Sequence, residues 1–103
     1  MKSPAFQFYV ADWLSSQRVQ MMTLEEEGAY IRLICFCWSH GSIPAEPSAI
    51  ARLVGKSCTL ETATTVQRMF NIRTNEKSCG VERLKHKRLE LERIKQAERR
   101  EQQ

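Results

Sequence analysis

The sequence predicts a mainly α-helical domain with a small β-hairpin, arranged as a winged helix-turn-helix and followed by a basic C-terminal helix. Three observations predict it. An apolar pattern with a capping signature at its start runs from Thr23 to Trp38. Two shorter helical patterns flank the glycine that ends Ala51-Arg52-Leu53-Val54-Gly55. Two extended arms on either side of a turn-rich stretch then close the domain.

Taken in chain order, Phe6-Gln7-Phe8-Tyr9-Val10 alternates aromatic and other residues as a short strand does, and Ala11 to Leu14 fits a brief helix. Thr23-Leu24-Glu25-Glu26 fits a capping box, with the Thr23 hydroxyl accepting a backbone N–H and Glu26 reaching back, so a helix starts at Leu24. Glu25, Glu26 and Glu27 fall in its first turn, where the helix dipole favours acids, which makes them structural rather than catalytic. From Ala29 to Trp38 apolar residues occupy nearly every face, as in a helix surrounded by its domain. His40-Gly41-Ser42-Ile43-Pro44 stops it.

Pro47 suits a first helical position, and a second helix of about two turns runs to Gly55 with Ile50, Leu53 and Val54 inward. After Lys56-Ser57-Cys58-Thr59 a third helix fits Leu60 to about Phe70, with Ala63, Val66, Met69 and Phe70 inward and Glu61, Thr62, Thr64, Thr65, Gln67 and Arg68 outward. Ile72 to Thr74 and Val81 to Leu84 form the arms of the hairpin. Residues 1–84 are thus read as the winged-helix-like domain, and 85–103 as a basic helix or tail that carries Leu89, Leu91 and Ile94.

At 103 residues there is room for one core. The longest unbroken apolar run, Leu33 to Trp38, falls far short of the roughly 18 to 20 residues of a membrane span, so no membrane partner is expected. The N-terminus lacks the apolar centre of a secretory signal, which makes the cytoplasm the expected compartment. Cys35, Cys37, Cys58 and Cys79 are accordingly read as free thiols. Positions two apart on a helix point to nearly opposite sides, so Cys35 and Cys37 cannot share a zinc ion, and no metal or cofactor is expected.

Catalysis is not expected either. The histidines, His40 at a helix exit and His86 in the basic tail, lie in no recognisable catalytic setting, and Gly28, Gly41, Gly55 and Gly80 are too scattered for a phosphate cradle. Charge is informative by its placement. Residues 1–82 hold eight basic and eight acidic side chains, whereas 83–103 hold eight basic and four acidic, so the whole excess of +4 lies in residues 83–103. A basic tail concentrates polyanions near the protein.

If Leu60 to Phe70 enters a groove of DNA, Thr64, Gln67 and Arg68 are the side chains suited to base edges or phosphates. That helix is electrically neutral, so affinity would rest on Arg73, Lys77, Arg83, Lys85, Lys87 and Arg88 along the wing and tail. The alternative is a solvated tail laced by pairs such as Arg88 with Glu92 and Glu90 with Arg93. Leu84, Leu91 and Ile94 offer a narrow stripe for a partner chain, which leaves a homodimer open.

The run Phe8-Tyr9-Val10-Ala11-Asp12-Trp13-Leu14, followed by Leu24-Glu25-Glu26-Glu27-Gly28-Ala29-Tyr30-Ile31-Arg32-Leu33, resembles the prophage YdaU-like domain. The likeness continues through Trp38, the turn Gly41 to Pro44, the segment Ala51 to Gly55, Phe70 and His86-Lys87-Arg88, covering roughly residues 6–95. Leu84 stands where an aromatic is common in that family, and the third helix is more polar. The resemblance implies a winged-helix-like domain of phage-related proteins, similar to the N-terminal part of replisome organisers and replication-initiation proteins. The expected function is a DNA-associated accessory protein of phage-type replication, acting by binding and assembly, with a helicase or loader as protein partner. The rival expectations are an oligomerisation or protein-interaction adaptor without DNA contact and, third, a transcriptional regulator.

Overall fold

The computed structural model describes residues 5–70, 72–76 and 81–101. The elements are α1 (Val10–Ser15), α2 (Gln17–Gln20), α3 (Leu24–His40), β1 (Ile43–Pro44), α4 (Pro47–Val54), α5 (Leu60–Gln67), β2 (Ile72–Glu76), β3 (Val81–Lys85) and α6 (Lys87–Glu101). The protein is mainly helical, with an antiparallel β2–β3 hairpin. No helix among the described residues is long and apolar enough to cross a membrane.

The central helix α3 forms as its sequence dictates. The Thr23 hydroxyl accepts the Glu26 N–H at 3.1 Å and Glu26 Oε1 accepts the Thr23 N–H at 2.9 Å, so both halves of the capping box are made. At the other end Gly41 adopts φ +89°, a left-handed conformation that glycine adopts without a Cβ clash, and its N–H bonds Cys37 O at 2.7 Å. Arg93 of α6 completes that terminus. Its guanidinium lies 4.4 Å over the Trp38 ring and donates to the carbonyls of Cys37 and Trp38, a cation at the negative end of the dipole.

Between them, Leu33, Ile43, Ile50, Ala63 and Val66 are fully buried, and Leu84 is almost so, forming one core to which α3, β1, α4, α5 and β3 all contribute. Helix α4 begins with Pro47 in its first turn and ends at Gly55, where φ is +69°. Lys56 and Ser57 continue with positive φ, so the five-residue link to α5 opens with three residues of positive φ. Arg32 of α3 ties this turn down, donating from Nε to Val54 O at 3.1 Å. Helix α5 is capped by Thr59, whose hydroxyl accepts the Thr62 N–H at 3.1 Å and donates to Thr62 Oγ1 at 3.0 Å.

The sheet has the order β1-β3-β2, all antiparallel, with Ile43 opposite Leu84 and Arg73 also opposite Leu84 from the other side. Strand β1 is two residues long and extends what would otherwise be a bare hairpin.

Several expectations are corrected. Phe6 to Val10 does not form a strand: residues 5–9 pair with no strand, and helix α1 starts at Val10. The aromatic alternation serves side-chain packing instead, with Phe6 tilted on Trp38 at 5.3 Å and Phe8 on Trp13 at 5.2 Å. Helix α5 ends at Gln67 rather than Phe70, and Phe70 turns inward to meet Tyr30 edge-on at 5.8 Å. Thr62, expected outward, is buried because its hydroxyl is drawn into the Thr59 cap. Arg88 does not pair with Glu92; its guanidinium bonds Asp12 Oδ2 at 2.8 Å.

Candidate functional site

The nine side chains that sequence reasoning singles out for nucleic acid have different surroundings. Thr64 on α5 and Arg68, the residue that caps its C-terminus, are both exposed, four residues apart. The Thr64 hydroxyl donates to Leu60 O at 2.8 Å. Gln67 donates from Nε2 to Ala45 O, tying α5 to the segment before α4. Arg83 is held by Ser42, to the hydroxyl at 2.7 Å from Nε and to the carbonyl at 3.1 Å from a terminal nitrogen. Lys85 pairs with Glu90 at 3.1 Å. Arg73 stands in β2 opposite Leu84, and Lys77 lies outside the described residues.

Two of the nine, Lys87 and Arg88, meet the exposed end of α5 across shallow grooves. Arg68 lines one groove with Thr65, Gln17 and Arg18, beside Met69. Arg18 and Met69 also line the adjoining groove, whose other walls include Lys87, Arg88 and Asp12. Arg18, Arg68, Lys87 and Arg88 therefore ring Met69, with Glu26 and Asp12 as the acids at the rim. Among the described residues Arg88 alone of the four makes an ion pair, and its guanidinium also lies 4.9 Å over the Tyr9 ring.

Sequence reasoning missed Arg18. It sits in α2, four residues long, too short for any periodic signal; the only local trace is Ser16, whose hydroxyl accepts the Val19 N–H at 3.4 Å as an N-cap.

Beneath this cluster lies a buried ring system. Tyr30 stacks on Trp13 with centroids 5.2 Å apart, and its hydroxyl is 2.7 Å from His86 Nε2. Burial pushes the Tyr30 hydroxyl up to about 12, against the opposing pull of the Arg18 and Arg88 cations. Burial likewise brings His86 down to about 4, helped by Arg88, so the imidazole is neutral at physiological pH. Phe70 packs edge-on against it at 5.2 Å.

The cysteines are dispersed: Cys35 exposed, Cys37 buried, Cys58 half-buried, each a free thiol, with Cys79 outside the described residues. Burial raises the Cys37 and Cys58 thiols above their usual range, which keeps them protonated and weakly nucleophilic. Among the described residues no three His, Cys, Asp or Glu side chains stand together as metal ligands would.

Comparison with known proteins found no match among curated proteins or solved structures. A family model does match, over residues 4–90, which spans the capped central helix, the helix pair, the hairpin and the start of α6. The chain belongs to that family, described as Protein of unknown function (DUF1376).

Proposed function

We propose that the protein is a winged-helix DNA-associated accessory factor of the phage-replication type, acting by binding and assembly rather than by chemistry. The order helix, strand, helix, helix, strand, strand from α3 to β3 matches that of a winged helix, with α5 as the groove-facing helix and strands β2 and β3 as the wing. The observation that carries the reading is the gathering of Arg18, Arg68, Lys87 and Arg88 around the exposed end of α5. Four cations drawn from α2, α6 and the turn after α5 onto one surface attract a polyanion far better than the same charges scattered. The likeness of the sequence motifs to the prophage YdaU-like domain supports the phage-replication setting, with a helicase or loader as the assembly partner.

Arg18, Arg68 and Lys87 make no ion pair with a described residue, and each neutralised phosphate steepens the salt dependence by about 0.9. Duplex DNA affinity is therefore expected to fall against salt with a log–log slope of about −2.7 or steeper. The triple reversal Arg18→Glu, Arg68→Glu, Lys87→Glu should remove binding while leaving the oligomeric state unchanged. A flat salt response in the unaltered protein would refute the reading.

One observation favours the adaptor as second reading. Leu91 and Ile94 on α6 are 51% and 55% exposed and lie three residues apart, an apolar pair open to another chain. In that case the triple reversal changes nothing, and Leu91→Ser with Ile94→Ser abolishes association. A transcriptional regulator would in addition require strong selectivity for one operator, measurable by competition with unrelated duplexes.

A further inference from the structure

A cavity of about 170 Å³ lies between residues 6–9, helix α1, the start of α2, helix α3, Met69 and the first turns of α6. Five aromatic side chains line it, Phe6, Phe8, Tyr9, Trp13 and Tyr30, together with the aliphatic Val19, Ile34 and Leu89. A closed apolar cavity of roughly 150 Å³ accommodates a benzene-sized ligand, so this one has room for a compact organic molecule.

Two polar groups in the lining are poorly matched. Glu92 is 6% exposed, yet the carboxylate accepts only one long hydrogen bond, from Gln96 Nε2 at 3.3 Å, and pairs with no cation among the described residues. Buried carboxylates are ordinarily paired or multiply hydrogen-bonded, because leaving water without compensation is strongly unfavourable. His86 Nδ1 is sealed from solvent and has no hydrogen-bond partner among the described residues, while its Nε2 is engaged by Tyr30.

The charges lining the cavity are Asp12, Glu92 and Arg88, with His86 neutral. Arg88 is committed to Asp12, which among the described residues leaves the Glu92 carboxylate without a cation partner. Aromatic faces present negative charge density, and an aromatic cage closed by a carboxylate has the electrostatics that select a cation over a neutral molecule of the same shape.

We infer that this cavity is a binding site for a small organic monocation, an alkyl- or arylammonium whose apolar body lies against Trp13 and Tyr30 and whose charged nitrogen meets Glu92. The site is separate from the basic surface around Met69 in the chemistry it selects, since that surface attracts anions. It does not depend on the DNA-binding reading.

The test is a titration of the full chain with 2-phenylethylammonium, followed by the fluorescence of its tryptophans and by the indole N–H resonance of Trp13, which now donates to Glu27 at 3.3 Å. The neutral isostere 2-phenylethanol is titrated in parallel. The expected result is saturable binding of the ammonium, at least ten-fold tighter than the alcohol, and a loss of at least ten-fold in Glu92→Gln. Equal affinities for ammonium and alcohol, or an unchanged affinity in Glu92→Gln, would overturn the assignment, as would no saturation by about 10 mM ligand. Should Glu92→Gln fail to fold, the ammonium-to-alcohol comparison on the unaltered protein decides alone.

Discussion

Helix α5 and the β3–α6 arm both carry polar residues of the kind that contact nucleic acid, yet the fold uses them differently. On α5 the exposed face keeps Thr64 and Glu61 in solvent, and the following turn adds Arg68. Along the arm, Arg83 is turned onto Ser42, Lys85 onto Glu90, Arg88 onto Asp12 and Arg93 onto the end of α3. The arm is richer in cations, but from Arg83 to Arg93 four of the five are engaged within the protein. A tail that looks solvated and basic in sequence is, through Lys85 to Arg93, a clasp closing the domain around Trp38 and Tyr30. The free positive charge at the candidate surface then comes from Arg18, Arg68 and Lys87, one from each of three separate segments.

The largest effect separates buried from exposed apolar residues of the arm. Leu89 is 5% exposed and Leu91 51%. Leu89→Ala should destabilise by about 2–5 kcal/mol through the cavity it leaves, and Leu91→Ala by no more than about 0.5 kcal/mol, both read from denaturant unfolding. Comparable losses at the two positions would mean that α6 does not clasp the domain as described.

A smaller effect distinguishes engaged from free cations. Arg83→Ala leaves the hydroxyl and carbonyl of Ser42, 4% exposed, without their donor, and should cost about 1–3 kcal/mol. Arg68→Ala removes an exposed side chain and should change stability by about 0.5 kcal/mol or less. On DNA the order reverses: Arg68→Ala should reduce the salt slope by about 0.9 and Arg83→Ala should leave it unaltered.

His86, at the root of the arm, gives the comparison a pH dependence. Its folded-state value of about 4 lies below the ordinary 6.5, so the unfolded chain binds the proton first as pH falls. The stability is complete above about pH 6.5 and declines progressively toward pH 4, where the folded form protonates as well. About 1–2 kcal/mol is expected over that interval, discounted from the full shift because the ring is not wholly enclosed. The variant His86→Phe should flatten this part of the profile, and thermal unfolding between pH 4 and 7 measures it. A protein equally stable at both ends would remove the neutral, enclosed imidazole from the account.

What could be read from the sequence follows the reach of each signal. The α3 capping box, the Gly41 stop, Pro47 and Gly55 act within a few residues, and each marks its helix end where expected. Strand β1 was not legible, because Ile43–Pro44 becomes a strand only through Leu84 and Arg83, forty residues on. The Phe6–Val10 pattern misled because period-two aromatics meet two different tryptophans as readily as a neighbouring strand. The candidate surface was half visible for the same reason. Arg68, Lys87 and Arg88 stood out as cations, but whether a cation is free depends on partners as remote as Asp12 and Ser42.

Arg88 is the point where the two regions meet, and its ion pair contributes little to stability. Both partners of the Arg88–Asp12 pair are more than half exposed, so breaking it should change stability by about 0–1 kcal/mol. The consequence for binding is larger if the surface around Met69 takes DNA. Asp12 is an acid at the rim of that groove and holds one of its four cations. Asp12→Asn frees Arg88 for phosphate, so the affinity at low salt should rise and the salt slope steepen by about 0.9, from about −2.7 toward −3.6. A weakened or unchanged affinity in a protein of unchanged stability would assign Arg88 wholly to the clasp and leave the nucleic-acid surface to Arg18, Arg68 and Lys87.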